Sequence, residues 1–490
     1  MSSVTSGTSR AAERAGQEPF TRVAPILAAS LVLGAGGGFF LAATLTVTSA
    51  FSGSVGLWWF ALAQAHGHLQ LYGWAGLFVI GVALHFVPRL MGQRLVGARL
   101  IPWVLGAQVI ALLVRSVSQP LLGSGSAVPR MGLATSGVLE CLALVTIAGM
   151  LLMTARQMPA LASRPALWSV LPFVVMGFAS LALESIVNLI NMLELAGSPG
   201  MLVSVQGDAL DVTLGLFGFL VPMALAMSAR ALPMYAGLEA FPRRVLWPLA
   251  WFYLAGLILI CAGTLAAGDM GDRIQGGGQV LLGATVITFV GMFVRLMSSR
   301  GKLPHRVAAL SPDPAQLGRQ YVSKVANERA TYGPYVALIG SAYLWAILGG
   351  VLLLLNGIWM AASTAPLVNP DAIRHTFAVG FIALLLCGVS SRMIPGFSGH
   401  SITSARLVST LLWVGNGAAT LRVGSLLVAP LLANLGSGAA QWANIAFGLS
   451  GPLGLILAVC LAWNLWPALN LAALSPSRTP TPDSVDVPGR

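Results

Sequence analysis

Apolar stretches long enough to cross a bilayer as helix, about 20 residues each, recur along almost the whole chain. Short segments rich in Arg, Gly, Pro and polar residues separate them. The first six run near Val23–Ala50, His66–Pro88, Ile101–Leu122, Gly132–Met153, Leu167–Met192 and Asp208–Met227. Six more run near Leu246–Ala267, Gln279–Met297, Tyr335–Trp359, Ala372–Ile394, Val408–Leu432 and Ala443–Trp466. No dyad alternation of barrel strands is present. The pattern predicts an all-α integral membrane protein, a bundle of about twelve transmembrane helices over residues 23–466. A polar tail, 1–22, precedes it without the apolar core of a signal peptide. A Pro/Ser/Thr-rich tail, 475–490, follows and is expected to be disordered.

The basic residues orient the spans. One set of segments holds Arg10, Arg14, Arg22, Arg89, Arg94, Arg99, Arg156, Arg164, Arg230, Arg243 and Arg244. It continues with Arg295, Arg300, Lys302, Arg306, Arg319, Lys324, Arg329, Arg392, Arg406, Arg478 and Arg490. The alternate loops hold only Arg130, Arg273 and Arg374. The expected placement is therefore a multi-pass protein of a bacterial-type inner membrane with both termini cytoplasmic. The longest connection, 298–331, lies inside and reads as a topogenic loop.

Composition supports this and removes rivals. Charged residues make up 9% of the chain and apolar ones 56%, against about 25% charged in soluble domains. The formal charge of +12 comes without a basic stripe interleaved with aromatics, so no nucleic-acid partner is expected. Cys141, Cys261, Cys387 and Cys460 fall inside spans at unrelated spacings, reading as packing residues with neither disulfide nor CxxC site.

Ionisable groups inside spans carry the candidate chemistry, because burying them in lipid costs free energy. In the derived topology His66 and His68 lie at the outer end of the second span and His375 at the outer end of the tenth. Arg115, Glu140 and Arg422 also lie within spans, with Asn416 beside Arg422. Glu184, Asn188 and Asn191 share a face of the fifth span by i, i+4, i+7 spacing, with Glu194 at its end. Asp208 and Asp211 open the sixth. A site in the outer half of the bilayer is expected.

Neutral imidazole suits heme iron and copper, so His66, His68 and His375 are the candidate ligands. His66 and His68 stand about 200° apart on an ideal helix; both reach one metal only if the helix begins late, as Gly67 would permit. Arg115, Arg374 and Arg422 are candidate partners of heme propionates. Glu184, Asn188, Asn191, Asp208 and Asp211 form a polar network. Its carboxylates read either as partners of Arg115 and Arg422 or as a proton path. His85, alone at the inner end, and His305, in the cytoplasmic loop, read as structural.

These residues resemble a known family. The run His66-Gly67-His68 to Tyr72-Gly73 resembles the His-x-His-x-x-x-aromatic-Gly signature of the NnrS family, and the match continues through Gly81, Val87-Pro88 and Gly92. Ala229-Arg230 with Pro233 is similar to its Gly-Arg-x-x-Pro segment. His375, Gly380, Gly388, Arg392, Gly396 and Gly399 repeat its tenth-span spacing. The chain departs from the pattern at Leu69, where an acidic residue is usual, and at His400, displaced by three positions.

The resemblance implies a membrane protein holding heme b and copper that serves nitric oxide metabolism and relief of nitrosative stress, with nitric oxide or a related small molecule as ligand and an unidentified redox partner. It also implies likeness to heme–copper oxidase subunit I, where histidines of the second and tenth helices hold a heme; that carries onto His66 or His68 with His375. The sixth and seventh spans contain no His, so a standard binuclear centre is not expected. Two rivals remain: a divergent oxidase- or nitric oxide reductase-like redox subunit, and a secondary transporter using the buried carboxylates and arginines.

Overall fold

The computed structural model describes residues 19–52, 54–235, 239–266, 268–298, 300, 302–303, 308–309, 312–434 and 437–471. Most of both tails, and His305 with Arg306, lie outside these residues. Among the described residues the protein is helical without strands, and twelve helices are long and apolar enough to cross a membrane. They run Ala24–Phe51, Leu57–Met91, Ala98–Ser118, Ala127–Arg156, Leu171–Gly197, Val205–Pro233, Arg243–Ala266, Gly268–Met297, Tyr335–Ser363, Pro370–Ser398, Ala405–Leu432 and Ala440–Leu465. The protein is thus a multi-pass all-α membrane bundle. Its outward-facing side chains, such as Trp103, Leu344 and Trp413, are apolar and exposed, as a lipid solvent requires.

Two expectations are corrected. The connection 298–331 is not all loop: Pro314–Tyr332 forms a 19-residue helix, started by Pro at its first position and by the Asp313 side chain accepting from the Gln316 N–H. Its polar composition keeps it out of the bilayer. The second helix does not begin late; it starts at Leu57 and continues through Gly67.

Spans 2, 6 and 10 form the centre. They are buried over 94%, 78% and 78% of their most apolar windows, against 28–56% for the other nine. The rest pack as neighbouring antiparallel pairs around them, with span 12 closing against span 1. Close approach between spans 8 and 9 depends on paired glycines. A Cβ on Gly276 would lie 2.7 Å from the Gly357 carbonyl oxygen, and one on Gly357 would lie 2.6 Å from that of Gly276. Small residues are the way helices pack in lipid, where water supplies no driving force between them.

The four spans that build the interior each contain a π-helical segment: Gly34–Gly38, Leu69–Gly76, Thr213–Leu220 and Thr376–Ala383. Such segments widen the helix and leave carbonyls short of intrahelical donors. Side chains supply them: Ser30 Oγ donates to the Trp74 carbonyl at 2.6 Å, and Tyr253 Oη to that of Phe217 at 2.7 Å. On spans 2, 6 and 10 the π segment begins within two residues of His68, Asp211 and His375. The altered helical phase therefore starts beside three of the candidate site residues.

Candidate functional site

A cavity of about 470 Å³ lies between spans 1, 2, 6, 10, 11 and 12, at the end of the bundle opposite the Arg-rich loops. That end is the one at which the sequence gathered its buried polar groups. His66, His68 and Gln70 line the cavity from span 2, Asp208 and Asp211 from span 6, Arg374 and His375 from span 10, and Arg422 from span 11. The remaining wall is largely apolar, including Phe39, Trp74 and Phe447.

Span 1 meets span 2 closely because its π segment is nearly all glycine. A Cβ on Gly38 would lie 2.8 Å from the Gln70 side chain, and one on Gly34 2.3 Å from the Trp74 ring. That approach brings the Gly38 carbonyl to His66, whose Nδ1 lies 2.9 Å from it. The Nδ1 of His375 lies 2.7 Å from the Asp371 carbonyl, one turn earlier. A carbonyl only accepts, so each ring carries its proton on Nδ1 and its lone pair on Nε2. This is the tautomer that a second-shell carbonyl selects in metal-ligating histidines. Arg422 Nη2 donates to His375 Nε2 at 3.1 Å, while its guanidinium carbon stands 4.2 Å from the Phe447 ring centroid. Its Nε and Nη1 are buried with no hydrogen-bond partner among the described residues.

His68 faces another way. Its Nε2 lies 2.7 Å from Glu140 Oε2 and its Nδ1 3.2 Å from Asp211 Oδ2. Glu140 also accepts from Gln108 Nε2 at 2.8 Å and Asn188 Nδ2 at 2.9 Å. Tyr72 Oη donates to Asp211 Oδ1 at 3.0 Å; it reaches there because position 215 is Gly, whose Cβ would otherwise stand 2.0 Å from that hydroxyl. Arg115 donates to Asn188 Oδ1 at 2.6 Å and stands 3.7 Å from Asp211 Oδ2. Glu184, fully buried, faces Asp211 and His68, and its two oxygens have no donor among the described residues.

The predicted residues therefore divide into two groups. His66, His375, Arg374 and Arg422 belong to the cavity. His68, Glu184, Asn188, Asp211 and Arg115 form a buried polar network that reaches the cavity through His68 and Asp211. Asn191 stands apart, donating to the Gly207 carbonyl at 3.2 Å. Asp208 lines the cavity, and Arg374 pairs with Asp371 at 3.2 Å. The reading that the carboxylates of spans 5 and 6 neutralise both buried arginines is corrected in part: Arg115 has Asp211, whereas Arg422 turns to His375.

His85 lies at the other end, edge-on to Phe20 and tilted against Phe397 with centroids 5.3 and 4.5 Å away; its carbonyl accepts from Arg89. Sequence reasoning passed over Gln64, Tyr72, Gln108 and Gln119. Gln64 and Gln119 bond each other at 2.9 Å and tie span 2 to span 3. A glutamine inside an apolar span is itself a signal, since its amide needs partners that lipid lacks.

No protein-family model matches the chain, and no curated protein matches it significantly.

Proposed function

We propose that this chain is an NnrS-like heme protein of a bacterial-type inner membrane, with both termini cytoplasmic, acting in the nitric oxide response or in relief of nitrosative stress. The observation that carries the reading is the pair His66 and His375. They stand on two central spans, line one cavity, and each has Nδ1 tied to a backbone carbonyl so that Nε2 holds the lone pair.

The residues present suit a heme. Cavities for cofactors of this kind span about 300–1,000 Å³, the wall is apolar, and Arg422 holds two buried N–H groups without acceptors. His66 and His375 would hold the heme iron, His375 giving up its bond to Arg422. Arg422, and Arg374 at the rim, would take the propionates. Heme b would supply one-electron chemistry and a site for nitric oxide. The protein's own part is to hold both imidazoles in one tautomer, to bury the cofactor's edge and to place positive charge at its acidic groups. Copper, the second metal of the resemblance, fits less well beside the heme ligands: among the described residues the next imidazole of the cavity, His68, is engaged with Glu140 and Asp211 and not with His66 or His375.

An oxidised and dithionite-reduced visible spectrum of the purified protein, with pyridine hemochrome and metal analysis, tests this reading. Sharp reduced bands of a six-coordinate heme are expected. One observation favours a second reading: a buried guanidinium with unmet donors in a cavity also suits the carboxylate of an organic anion. A colourless protein after expression with ample heme would overturn the heme reading and leave anion transport as the better account.

A further inference from the structure

The network beside the cavity contains a gap that its own hydrogen atoms do not fill. Glu140 is an acceptor, so the 2.7 Å contact to His68 Nε2 needs a proton on that nitrogen. This places the imidazole lone pair on Nδ1, pointing at Asp211 Oδ2, another acceptor, 3.2 Å away. Glu184 adds two more buried oxygens without a donor. One ligand atom from each of His68, Glu184 and Asp211 lies within 4.8 Å of the other two. Three groups thus turn lone pairs toward one buried spot, which either bound protons or a cation must neutralise.

We infer that His68 Nδ1, Asp211 Oδ2 and a Glu184 carboxylate oxygen bind a first-row divalent cation of the zinc class. This site adjoins the cavity, which His68 and Asp211 also line, and stands whether or not the cavity takes heme. Three features favour a metal over protons. First, the two contacts of His68 differ in length. Charge-assisted N–H···O bonds run about 2.7–2.9 Å, which fits the Glu140 side. The 3.2 Å contact to Asp211 is at the long end of an N–H···O bond and close to the roughly 3.3 Å between ligand atoms on tetrahedral zinc with bonds of about 2.0–2.1 Å, so the Asp211 side has room for a metal. Second, Glu140 with His68 reproduces the carboxylate–histidine–metal triad, in which an outer carboxylate fixes the tautomer. Glu140 is in turn held by Gln108 and Asn188. Third, with all three carboxylates ionised and His68 neutral, Glu140, Glu184 and Asp211 against the single guanidinium of Arg115 leave the network two positive charges short. One divalent ion supplies both. One imidazole and two carboxylates suit zinc or manganese better than copper(I). His68 and Asp211 also line the cavity, so a remaining coordination position is within reach of a ligand there.

The test uses the full-length protein in detergent, stripped with a chelator and refilled with Zn²⁺ or Co²⁺ alone. Wild type is expected to bind one equivalent beyond any heme iron, to give tetrahedral Co²⁺ bands, and to melt at higher temperature when refilled. Glu184→Gln and Asp211→Asn are expected to lower Zn²⁺ affinity at least tenfold while retaining the elution volume of wild type. Equal Zn²⁺ binding by wild type and both variants overturns the assignment. So does a wild-type protein that takes up no ion yet melts unchanged; two protons, on His68 and on the Glu184–Asp211 pair, then balance the network. Heme content, read on the same samples, reports on His66 and His375 separately.

Discussion

Arg422 Nη2 donates to the Nε2 of His375 at 3.1 Å, so the nitrogen best placed to bind a metal in the cavity is held by a guanidinium. The contact links the two halves of the proposed function. Were His375 Nε2 to hold a heme, Arg422 would lose this acceptor and would need another, which a propionate would supply. Arg422→Gln should accordingly weaken heme retention about tenfold or more, since a hydrogen bond to a charged group contributes about 1.5–3 kcal/mol. The reduced band positions should stay those of wild type. Heme titration of the apoprotein measures both, and unchanged affinity would remove Arg422 from the propionate role.

Glu140 anchors the polar network. It accepts from His68, Gln108 and Asn188, and all four side chains are buried. Glu140→Ala orphans three donors and leaves Arg115 facing fewer acidic groups, a loss of about 3–5 kcal/mol. The melting temperature in detergent should fall markedly, and Glu140→Gln, which keeps one acceptor oxygen, should fall less. Equal melting of the two variants and wild type would show that the network contributes nothing to stability.

Gly357 packs its backbone on Gly276 of span 8. Gly357→Val forces those helices apart, and overpacking of this kind costs about 1–3 kcal/mol. Lower thermal stability is expected with no change in cofactor content, because the glycine pair stands apart from the cavity lining. Loss of cofactor without loss of stability would contradict the assignment of this contact to packing alone.

Orientation follows from the basic loops. A cysteine introduced at Gly200, exposed at the cavity end of the bundle, should react with an impermeant thiol reagent added to intact cells. One at Ser401, at the opposite end, should react only after lysis. The reverse pattern would invert the topology.

The spans were legible in the sequence because apolar length is a strong signal, and the end of the bundle that holds the site followed from where His66, His375 and Arg422 fall along their spans. The partition of the histidines was not legible. His66 and His68 differ by two positions on one helix, and their separation into cavity and network depends on the Gly38 carbonyl of span 1 and on Glu140 of span 4. Both are tertiary neighbours without local signature. The π segments were also invisible to a periodicity reading tuned to 3.6 residues per turn, although the run Gly34–Gly38 marks one of them. Tyr72 was quoted only as part of a motif; its reach to Asp211 depends on Gly215 across the span interface. The Pro314–Tyr332 helix was hidden by polar composition within a long connection.

The central claim is that His66 and His375, and not His68, hold a heme. The most direct measurement is the reduced visible spectrum, normalised to protein, of His66→Ala, His375→Ala and His68→Ala beside wild type. Loss of the six-coordinate bands in the first two, with the bands retained in His68→Ala, is the predicted result. Bands unchanged in His375→Ala, or lost only in His68→Ala, would contradict it.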